Sequence, residues 1–274
     1  MGKHAIITGG SAGIGLQVAL GLARLGFDLT LISSNPQRLE SARQRIQTQS
    51  HQHVAIATVD FSDLDEVAAL ATTRDKPWNF LVNNAGIKIV DNALPSAQGF
   101  ERHLAVNHLA HFALTAGLMP TALPGARIVT VSSIVARVAP SDVFASSGLS
   151  TSQRYAASKL ANLGFSIELE NLLRSAGKTQ VSVAAHPGFT RAEPYGTKAT
   201  RLAEYLLAQP ASMGAKPILD AALSESPSAY TGPRFAELWG KPAQARVNPI
   251  VTDGEWLRHL WHETERLTGT KFQV

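Results

Sequence analysis

Short apolar segments alternate with longer segments of helical periodicity over the first two thirds of the chain. The apolar segments have the length and the β-branched residues of buried strands, and the segments between them repeat apolar residues every three to four positions. This pattern predicts strands at residues 4–8, 28–32, 54–59, 80–82, 127–132 and 180–185. It predicts helices at residues 14–25, 36–49, 64–71, 99–118 and 153–176. Apolar strands joined by helices indicate a parallel sheet that is covered on both faces.

The composition is that of a globular protein, with 45% hydrophobic and 17% charged residues among 274. The net charge of +4 comes from scattered Lys and Arg without an aromatic-flanked basic cluster, so nucleic-acid binding is not expected. The chain has no cysteine, which excludes disulfides and thiolate sites. A first strand near the N-terminus leaves no room for a signal peptide, and no apolar run approaches the ~18 residues of a membrane span. These features predict a soluble, cytoplasmic protein.

The segment GGSAG at residues 9–13 is compatible with two kinds of site. As G-x-S-x-G it matches the nucleophile elbow of α/β hydrolases, with Ser11 as the nucleophile. With Gly15 added, it is a glycine loop that lets a dinucleotide pyrophosphate sit at a helix N-terminus. Hydrolase elbows follow several strands, whereas this segment follows the first strand, and the chain has no HGGG-like oxyanion loop. The position therefore favours dinucleotide binding.

Four segments resemble the short-chain dehydrogenase/reductase family, in the order and spacing of that family. TGGSAGIG at residues 8–15 resembles its TGxxxGIG loop, and NNAG at 83–86 follows the fourth strand. YAASK at 155–159 resembles its YxxSK motif, and HPG at 186–188 resembles its PG turn after the sixth strand. Three further segments resemble the retinol-dehydrogenase-like branch, which includes the WW-domain oxidoreductases: VNHLAHF at 106–112, IVTVSS at 128–133 and LRHLWHETE at 257–265.

The resemblance implies a single Rossmann-type domain over residues 1–274, an α/β fold with one doubly wound parallel sheet in three layers. Residues 1–188 would form the cofactor-binding and catalytic core. Residues 189–228 are irregular and are interpreted as an insertion that covers the substrate, although a solvated loop fits the pattern equally well. Residues 229–274 would supply a last strand at 229–230 and a helix at 255–267.

Tyr155 and Lys159 are four residues apart on a predicted helix, so their side chains share one face. An ammonium near a phenol lowers the phenol pKa from about 10, which would make Tyr155 a usable acid or base. Taken alone, such a pair is more often a solvated helix face. Ser133 ends the fifth strand at the sheet edge that binds ligands, and its hydroxyl could stabilise charge on a carbonyl oxygen. The resemblance selects Ser133 rather than Ser132, which is expected to bond to backbone.

Asn107 lies within a predicted helix, where asparagine is unfavourable because its amide competes for backbone groups. Its role is either a capping or kink contact or, by resemblance, that of holding a water that connects Lys159 to solvent in a proton relay. His108 and His111 flank Asn107 at a spacing that is weak evidence for a metal. We expect packing and hydrogen-bonding roles for both histidines and no metal site.

The second strand ends in LISSN at residues 31–35, with no acidic residue before Glu40. NAD sites place an acidic residue here on the ribose 2′-hydroxyl, so the sequence favours NADP(H) over NAD(H). Arg38 could meet the 2′-phosphate, with Ser34 and Asn35 as further donors, or it could be an ordinary solvent-facing charge. The branch that the chain resembles often has arginine at the position of Ser34. Fewer positively charged side chains would therefore contact the phosphate in this chain.

The other expected cofactor contacts follow from the motifs. Asp60 would accept from the adenine amino group with Phe61 alongside, or it would cap the next helix. Thr190 is expected to bind the nicotinamide carboxamide, because the threonine that the family carries is replaced by Ala192. By resemblance, the cofactor-binding set is Gly9, Ser11, Ala12, Gly13, Ile14, Gly15, Ser34, Asn35, Arg38, Asp60, Phe61, Asn84, Ala85, Gly86, Tyr155, Lys159, Pro187, Gly188 and Thr190.

The substrate pocket would come from residues 135–154 and 189–230, whose apolar side chains suggest an apolar, fairly bulky carbonyl compound, unless they only pack the cover. The expected substrate contacts are Ser133, Val135, Phe144, Tyr155, Phe189 and Tyr195. Together these features predict an NADP(H)-dependent ketone or aldehyde reductase or alcohol dehydrogenase. The alternatives are a cofactor-binding sensor or scaffold, an epimerase or dehydratase on the same cofactor, and the Ser11 hydrolase. A homo-oligomer is compatible with the sequence.

Overall fold

The computed structural model describes residues 2–73, 75–88, 94–145, 147–191 and 208–273. Within these ranges the strands are β1 His4–Thr8, β2 Asp28–Ser33, β3 Val54–Thr58, β4 Trp78–Asn83, β5 Ala122–Val131, β6 Val181–Ala185, β7 Tyr230–Phe235 and β8 Trp239–Gln244. The α-helices are α1 Gly13–Arg24, α2 Pro36–Gln49, α3 Leu64–Thr72, α4 Arg102–Leu104, α5 Ala110–Leu118, α6 Thr151–Ser175, α7 Ala211–Leu223 and α8 Gly254–Thr268. A π-helix, Ala105–Leu109, joins α4 to α5, and a 3₁₀-helix, Ile134–Val138, follows β5.

The strands form one eight-stranded sheet in the order β3-β2-β1-β4-β5-β6-β7-β8. Neighbouring strands pair in parallel from β3 to β7, and β8 is the antiparallel arm of a hairpin with β7. The strand order reverses between β1 and β4, and such a switch point is where doubly wound sheets bind their ligands. The fold is therefore the predicted doubly wound α/β sheet, with one antiparallel edge strand.

Apolar side chains cover both faces of the sheet, and every residue of β1 is buried, as is typical of a central parallel strand. On one face α1, α2 and α7 pack around a core that includes Leu22 and Ile218. On the other face α3, α5 and α6 pack around Phe112 and Phe165. The result is the predicted three-layer arrangement. Among the helices of the described ranges, none is both long and apolar enough to cross a lipid bilayer.

The structure contains two elements that the sequence pattern did not predict. Residues 211–223, inside the predicted irregular insertion, form α7, which packs against α1 and lies between β6 and β7 in the chain. The helical pattern is weak there because Gly214 and Pro217 lie within the helix, and both disfavour helix interiors. Strand β8 has the sequence WGKPAQ, in which glycine and proline are unusual for a strand and are compatible with an edge position.

Five histidines of the described residues are buried, and burial shifts the pKa of three of them, His108, His111 and His186, each with 1% or less of its surface exposed. Burial lowers the pKa of His108 and of His186 to about 4, and that of His111 to about 3. All three rings are therefore neutral at pH 7 and each resists protonation in the folded state.

We expect the free energy of unfolding to decrease as the pH is lowered from 7 to 5. The folded-state pKa of each histidine lies below the unfolded value of about 6.5, so the unfolded chain binds more protons across this interval. Each of the three histidines then costs about 2 kcal/mol of stability at pH 5. Urea denaturation at both pH values measures the loss, and His111→Gln should reduce it. A free energy of unfolding that does not change between these pH values would contradict the assignment.

Candidate active site

The loop that joins β1 to α1 depends on glycine for two reasons. Gly9 and Gly13 have φ angles of +65° and +52°, in the left-handed region that favours glycine. Gly15 lies so close to the carbonyl oxygen of Gly9 that a Cβ atom would overlap it. A Cβ atom at Gly13 would meet no atom within 4 Å, so the loop is open on that side. A backbone cradle at the N-terminus of a 12-residue helix fits the pyrophosphate of a dinucleotide.

The Thr8 hydroxyl connects this loop to the NNAG segment. Its oxygen accepts the backbone N–H groups of Asn84 and Ala85, each at 2.8 Å. On its other side the hydroxyl lies 2.9 Å from Nε2 of His111. Nδ1 of His111 faces the carbonyl oxygen of Asn107 at 3.0 Å and must donate to it, so Nε2 accepts the proton of Thr8. A chain of hydrogen bonds therefore links the glycine loop to Asn107, and His111 has the hydrogen-bonding role that was predicted.

Asn107 lies fully buried in the π-helix, a rare conformation that is frequent at functional sites. Its Oδ1 accepts from the Ile87 backbone N–H at 2.8 Å, and its Nδ2 donates to Ser158 Oγ at 2.9 Å. Ser158 in turn donates to the carbonyl oxygen of Tyr155 at 2.8 Å. These contacts are with segments distant in the chain and are not the capping or kink contact that was one of the two predicted roles of Asn107; they join the loop after β4 to α6. Its water-holding role stays a prediction.

Lys159 is 4% exposed, and Val131 supplies the one acceptor that the described residues offer its ammonium, a carbonyl oxygen at 3.0 Å. Burial, assisted by the nearby charge of Lys88, lowers the pKa of Lys159 to about 8. A Cβ atom at Gly86 would come within 3.4 Å of the ammonium nitrogen, so glycine there leaves room beside it. Because an ammonium has three N–H donors, Lys159 can also donate to ribose hydroxyls.

Tyr155 is partly buried, and the Ser133 hydroxyl lies close enough to its phenol to affect its pKa. Burial raises the pKa of Tyr155 above its usual value, and the nearby Ser133 hydroxyl offsets part of the rise. The expectation that the Lys159 ammonium lowers the pKa of Tyr155 is therefore wrong. The ammonium donates to the Val131 carbonyl oxygen instead, and burial disfavours its charged form. Ser132 donates its hydroxyl proton to the carbonyl oxygen of Lys159 at 2.7 Å, which is the backbone contact predicted for it.

The turn from β2 to α2 forms the side of the site that would face a 2′-phosphate. Asn35 caps α2, and its Oδ1 accepts from the Arg38 backbone N–H at 2.8 Å. Ser34, Asn35 and Arg38 are all exposed at this helix N-terminus. The Ser11 hydroxyl donates to Ser33 Oγ at 2.9 Å, so its partner among the described residues is a serine and not the histidine that a hydrolase nucleophile needs.

Asp60 and Phe61, the predicted adenine contacts, differ in their placement. Asp60 is exposed, and its Oδ1 accepts from the Ser62 backbone N–H and hydroxyl at 2.8 and 2.7 Å. Helix α3 itself is capped by Asp63, whereas Asp60 caps the segment that begins at Ser62, which is the alternative role predicted for it. The ring of Phe61 is buried 5.1 Å from the ring of His111, which places it in the core and not on the surface of the cleft.

The HPG turn follows β6. Gly188 has a φ angle of +71°, and a Cβ atom there would come within 2.5 Å of the Leu238 carbonyl oxygen. Thr190 is 3% exposed and donates its hydroxyl proton to the Pro187 carbonyl oxygen at 2.8 Å. The hydroxyl proton is therefore used within the turn, and the oxygen can still accept from a carboxamide NH₂ group, so the predicted contact with the nicotinamide carboxamide stays a prediction.

The predicted substrate residues do not all lie together. Val135 lies in the 3₁₀-helix that follows Ser133, and Phe189, 37% exposed, follows the HPG turn. Phe144 instead lines a cavity of about 270 Å³ against α8, and none of the four catalytic candidates lines that cavity. Tyr195 lies outside the described residues. Within the ranges that the structure describes, no group of three or more His, Asp or Glu side chains is placed to hold a metal ion.

Three residues that support the site were assigned no role from the sequence: Thr8, His186 and Tyr230. Tyr230 donates its hydroxyl proton to the Ser133 carbonyl oxygen at 3.0 Å, and its ring lies 5.2 Å from that of His186. Thr8 and His186 lie inside the motif segments, which is a signal that could have drawn attention to them. Tyr230 carries no comparable signal, because only the tertiary structure brings it beside Ser133.

The sequence profile of the family described as short chain dehydrogenase matches residues 3–201. Retinol dehydrogenase 12 of Homo sapiens is 30% identical over 99% of this chain and 88% of its own length. Polyprenol dehydrogenase of Mus musculus is 32% identical over 98% of this chain and 84% of its own length. A solved structure of an uncharacterized protein from Mycobacterium paratuberculosis has a TM-score of 0.84 and 32% identity, over 99% of this chain and 95% of that one. The chain therefore belongs to the short-chain dehydrogenase/reductase family of oxidoreductases, in its retinol-dehydrogenase-like branch.

Proposed function

We propose that this protein is an NADP(H)-dependent oxidoreductase that transfers hydride between the nicotinamide and a carbonyl or alcohol carbon of an apolar small molecule. The observation that carries the proposal is the joint placement of four groups at the carboxyl edge of the sheet. The Ser133 hydroxyl lies beside the Tyr155 phenol, Lys159 lies one turn further along α6, and Asn107 is bonded to the same helix. A sensor or scaffold would bind the cofactor without needing such a bonded set.

The bound nicotinamide would supply or accept the hydride. The Tyr155 phenol would exchange a proton with the substrate oxygen, and the Ser133 hydroxyl would donate to the same oxygen and stabilise the negative charge that develops there. Because the Ser133 hydroxyl lies close enough to the phenol to affect its pKa, a single substrate oxygen could contact both groups. Lys159 would donate to the ribose hydroxyls, and Asn107 would hold a water that connects Lys159 to solvent.

The turn between β2 and α2 supports NADP(H) as the cofactor. The segment after β2 has no acidic residue before Glu40, so nothing there would repel a phosphate. The exposed Arg38 lies in the first turn of α2, where backbone N–H groups also favour an anion. Ser34 and Asn35 would add neutral donors to the same phosphate.

An apolar substrate is supported by the side chains near Ser133 and by the relatives. Val135, two residues after Ser133, is partly exposed, and Phe189, which follows the HPG turn, is 37% exposed. Covering such surface contributes roughly 25 cal/mol per Å². Retinol dehydrogenase 12 and polyprenol dehydrogenase are named for apolar alcohols, which points to the same class of compound for this chain.

Tyr155→Phe removes the phenol oxygen and keeps the aromatic ring. We expect kcat for the NADPH-dependent reduction of an apolar aldehyde to fall by about 100-fold or more, because a positioned acid–base group contributes 10²–10⁴. NADPH fluorescence should give a dissociation constant within about twofold of wild type, which controls for folding. Wild-type turnover by the variant would contradict the mechanism. NADPH binding by the wild-type protein without turnover of any carbonyl or alcohol in a panel would support the sensor instead.

Arg38→Gln removes the positive charge that would meet the 2′-phosphate. We expect the KM for NADPH to rise about tenfold, because a charge-assisted hydrogen bond of about 1.5–3 kcal/mol is lost, while the KM for NADH stays unchanged. Arg45→Gln, an exposed position further along α2, is the matched control and should change neither value. An equal rise in both KM values, or a wild-type preference for NADH, would show that NADP(H) is the wrong cofactor.

A further inference from the structure

The turn of the β7–β8 hairpin packs directly on the HPG turn. The Phe189 backbone N–H donates to the Leu238 carbonyl oxygen at 3.1 Å. The same carbonyl oxygen lies where a Cβ atom of Gly188 would be. The hairpin thus holds the segment that, in the proposed function, lies against the nicotinamide half of the cofactor.

This hairpin turn has a conformation that its residues disfavour. Ala236 and Glu237 have φ angles of 49° and 58°, in the left-handed region, and the Leu238 backbone N–H closes the turn on the Phe235 carbonyl oxygen at 2.9 Å. Tight hairpin turns of this kind prefer Asn-Gly or Asp-Gly at the two central positions. Glutamate is not a preferred residue at the second position. Its presence there indicates a requirement for the contacts of its side chain rather than for its backbone preference.

The Glu237 carboxylate lies at the junction of three segments and is 11% exposed. Its Oε2 lies 3.4 Å from Nε2 of His186, at the end of β6. Its Oε1 lies 3.3 Å from Nη1 of Arg137, in the 3₁₀-helix after Ser133, and accepts from the Arg246 backbone N–H at 3.4 Å. One carboxylate therefore connects the HPG turn, the segment that follows the catalytic serine and the chain after β8.

The hydrogen bonds of His186 determine which of its nitrogens carries the proton. The Gly188 backbone N–H donates to Nδ1 at 3.3 Å, so Nδ1 is the acceptor. Burial lowers the pKa of His186 to about 4, so the ring is neutral at pH 7 and its proton is on Nε2, facing Glu237. Nε2 and Oε2 are both buried and lie 3.4 Å apart, but neither makes a hydrogen bond with any described residue, the other included. A hydrogen bond between them is therefore an inference from their proximity.

We propose that Glu237 is a positioning residue for hydride transfer, because it fixes the proton and orientation of His186 and, through them, the backbone of the HPG turn. His186 receives the Gly188 N–H only while its own proton points to the carboxylate. Tyr230 packs on the His186 ring and donates to the Ser133 carbonyl oxygen, so the same cluster also supports the catalytic serine. The proposal rests on the proposed function, since the HPG turn matters only if a nicotinamide lies against it.

Glu237→Gln is the variant that tests this role. Glutamine has the shape of glutamate, but its NH₂ group opposes another donor whether it faces His186 or Arg137. We expect the dissociation constant for NADPH to rise about tenfold and kcat to fall about tenfold, whereas the dissociation constant for 2′,5′-ADP, which lacks the nicotinamide half, should stay within about twofold. Arg234→Gln, an exposed position on β7 that lines the same cavity as Glu237, is the control and should behave as wild type.

Two further measurements separate positioning from a general structural effect. Long-range ¹H–¹⁵N correlation spectra should show a single Nε2–H tautomer for His186 in the wild-type protein and its loss in Glu237→Gln. In a double-mutant cycle with His186→Ala, the effects of the two substitutions on NADPH affinity should be strongly non-additive, because one acts through the other.

The possible results distinguish a failure of the positioning role from a failure of the proposed function. Equal weakening of NADPH and 2′,5′-ADP binding in Glu237→Gln, additive effects in the cycle, or wild-type values throughout would overturn the positioning role while leaving the proposed function intact. If the wild-type protein binds neither NADPH nor NADH, the proposed function fails first, and the positioning role fails with it.

Discussion

The Thr8 hydroxyl is the contact on which the two halves of the site depend. Thr8 ends β1, the strand beside which the sheet reverses its order, so the loops after β1 and β4 diverge there. A single oxygen that accepts two backbone N–H groups and donates to His111 holds these loops together and orients Asn107 behind them. Without it, several buried polar groups would lose their partners together, which is costlier than the loss of one hydrogen bond.

The polar side chains around the Thr8 hydroxyl lie in the protein interior rather than at the solvent-exposed surface. Asn107, Lys159 and the neutral His111 are buried, and each is bonded to a backbone group, supplied by the loop after β4, the end of β5 and the π-helix respectively. Parallel strands end together at one edge of the sheet, which brings these backbone groups within reach of one another. The fold thus provides hydrogen-bond partners that offset the free-energy cost of burying an ammonium near a phenol.

The elements with strong periodicity were predicted within a few residues; helix α2, for example, has the bounds that Pro36 and its polar face indicate. The motifs likewise identified the residues that touch one another in the site, such as Ser133 and Tyr155. Helix α7 and strand β8 were missed because Gly and Pro interrupt their patterns while tertiary packing maintains them. The motifs also do not predict the direction in which a side chain points. Phe61 and Thr190 lie at the expected positions near the site, but their side chains are buried.

The pKa shifts of Tyr155 and Lys159 also affect the protonation states of the two side chains before any reaction. Burial raises the pKa of Tyr155 and lowers that of Lys159, so desolvation favours the neutral form of both side chains. The protein's own residues therefore keep the proton on the phenol at neutral pH, where it can be donated to a carbonyl oxygen. Formation of the phenolate, which alcohol oxidation needs, requires a further positive charge near the ring.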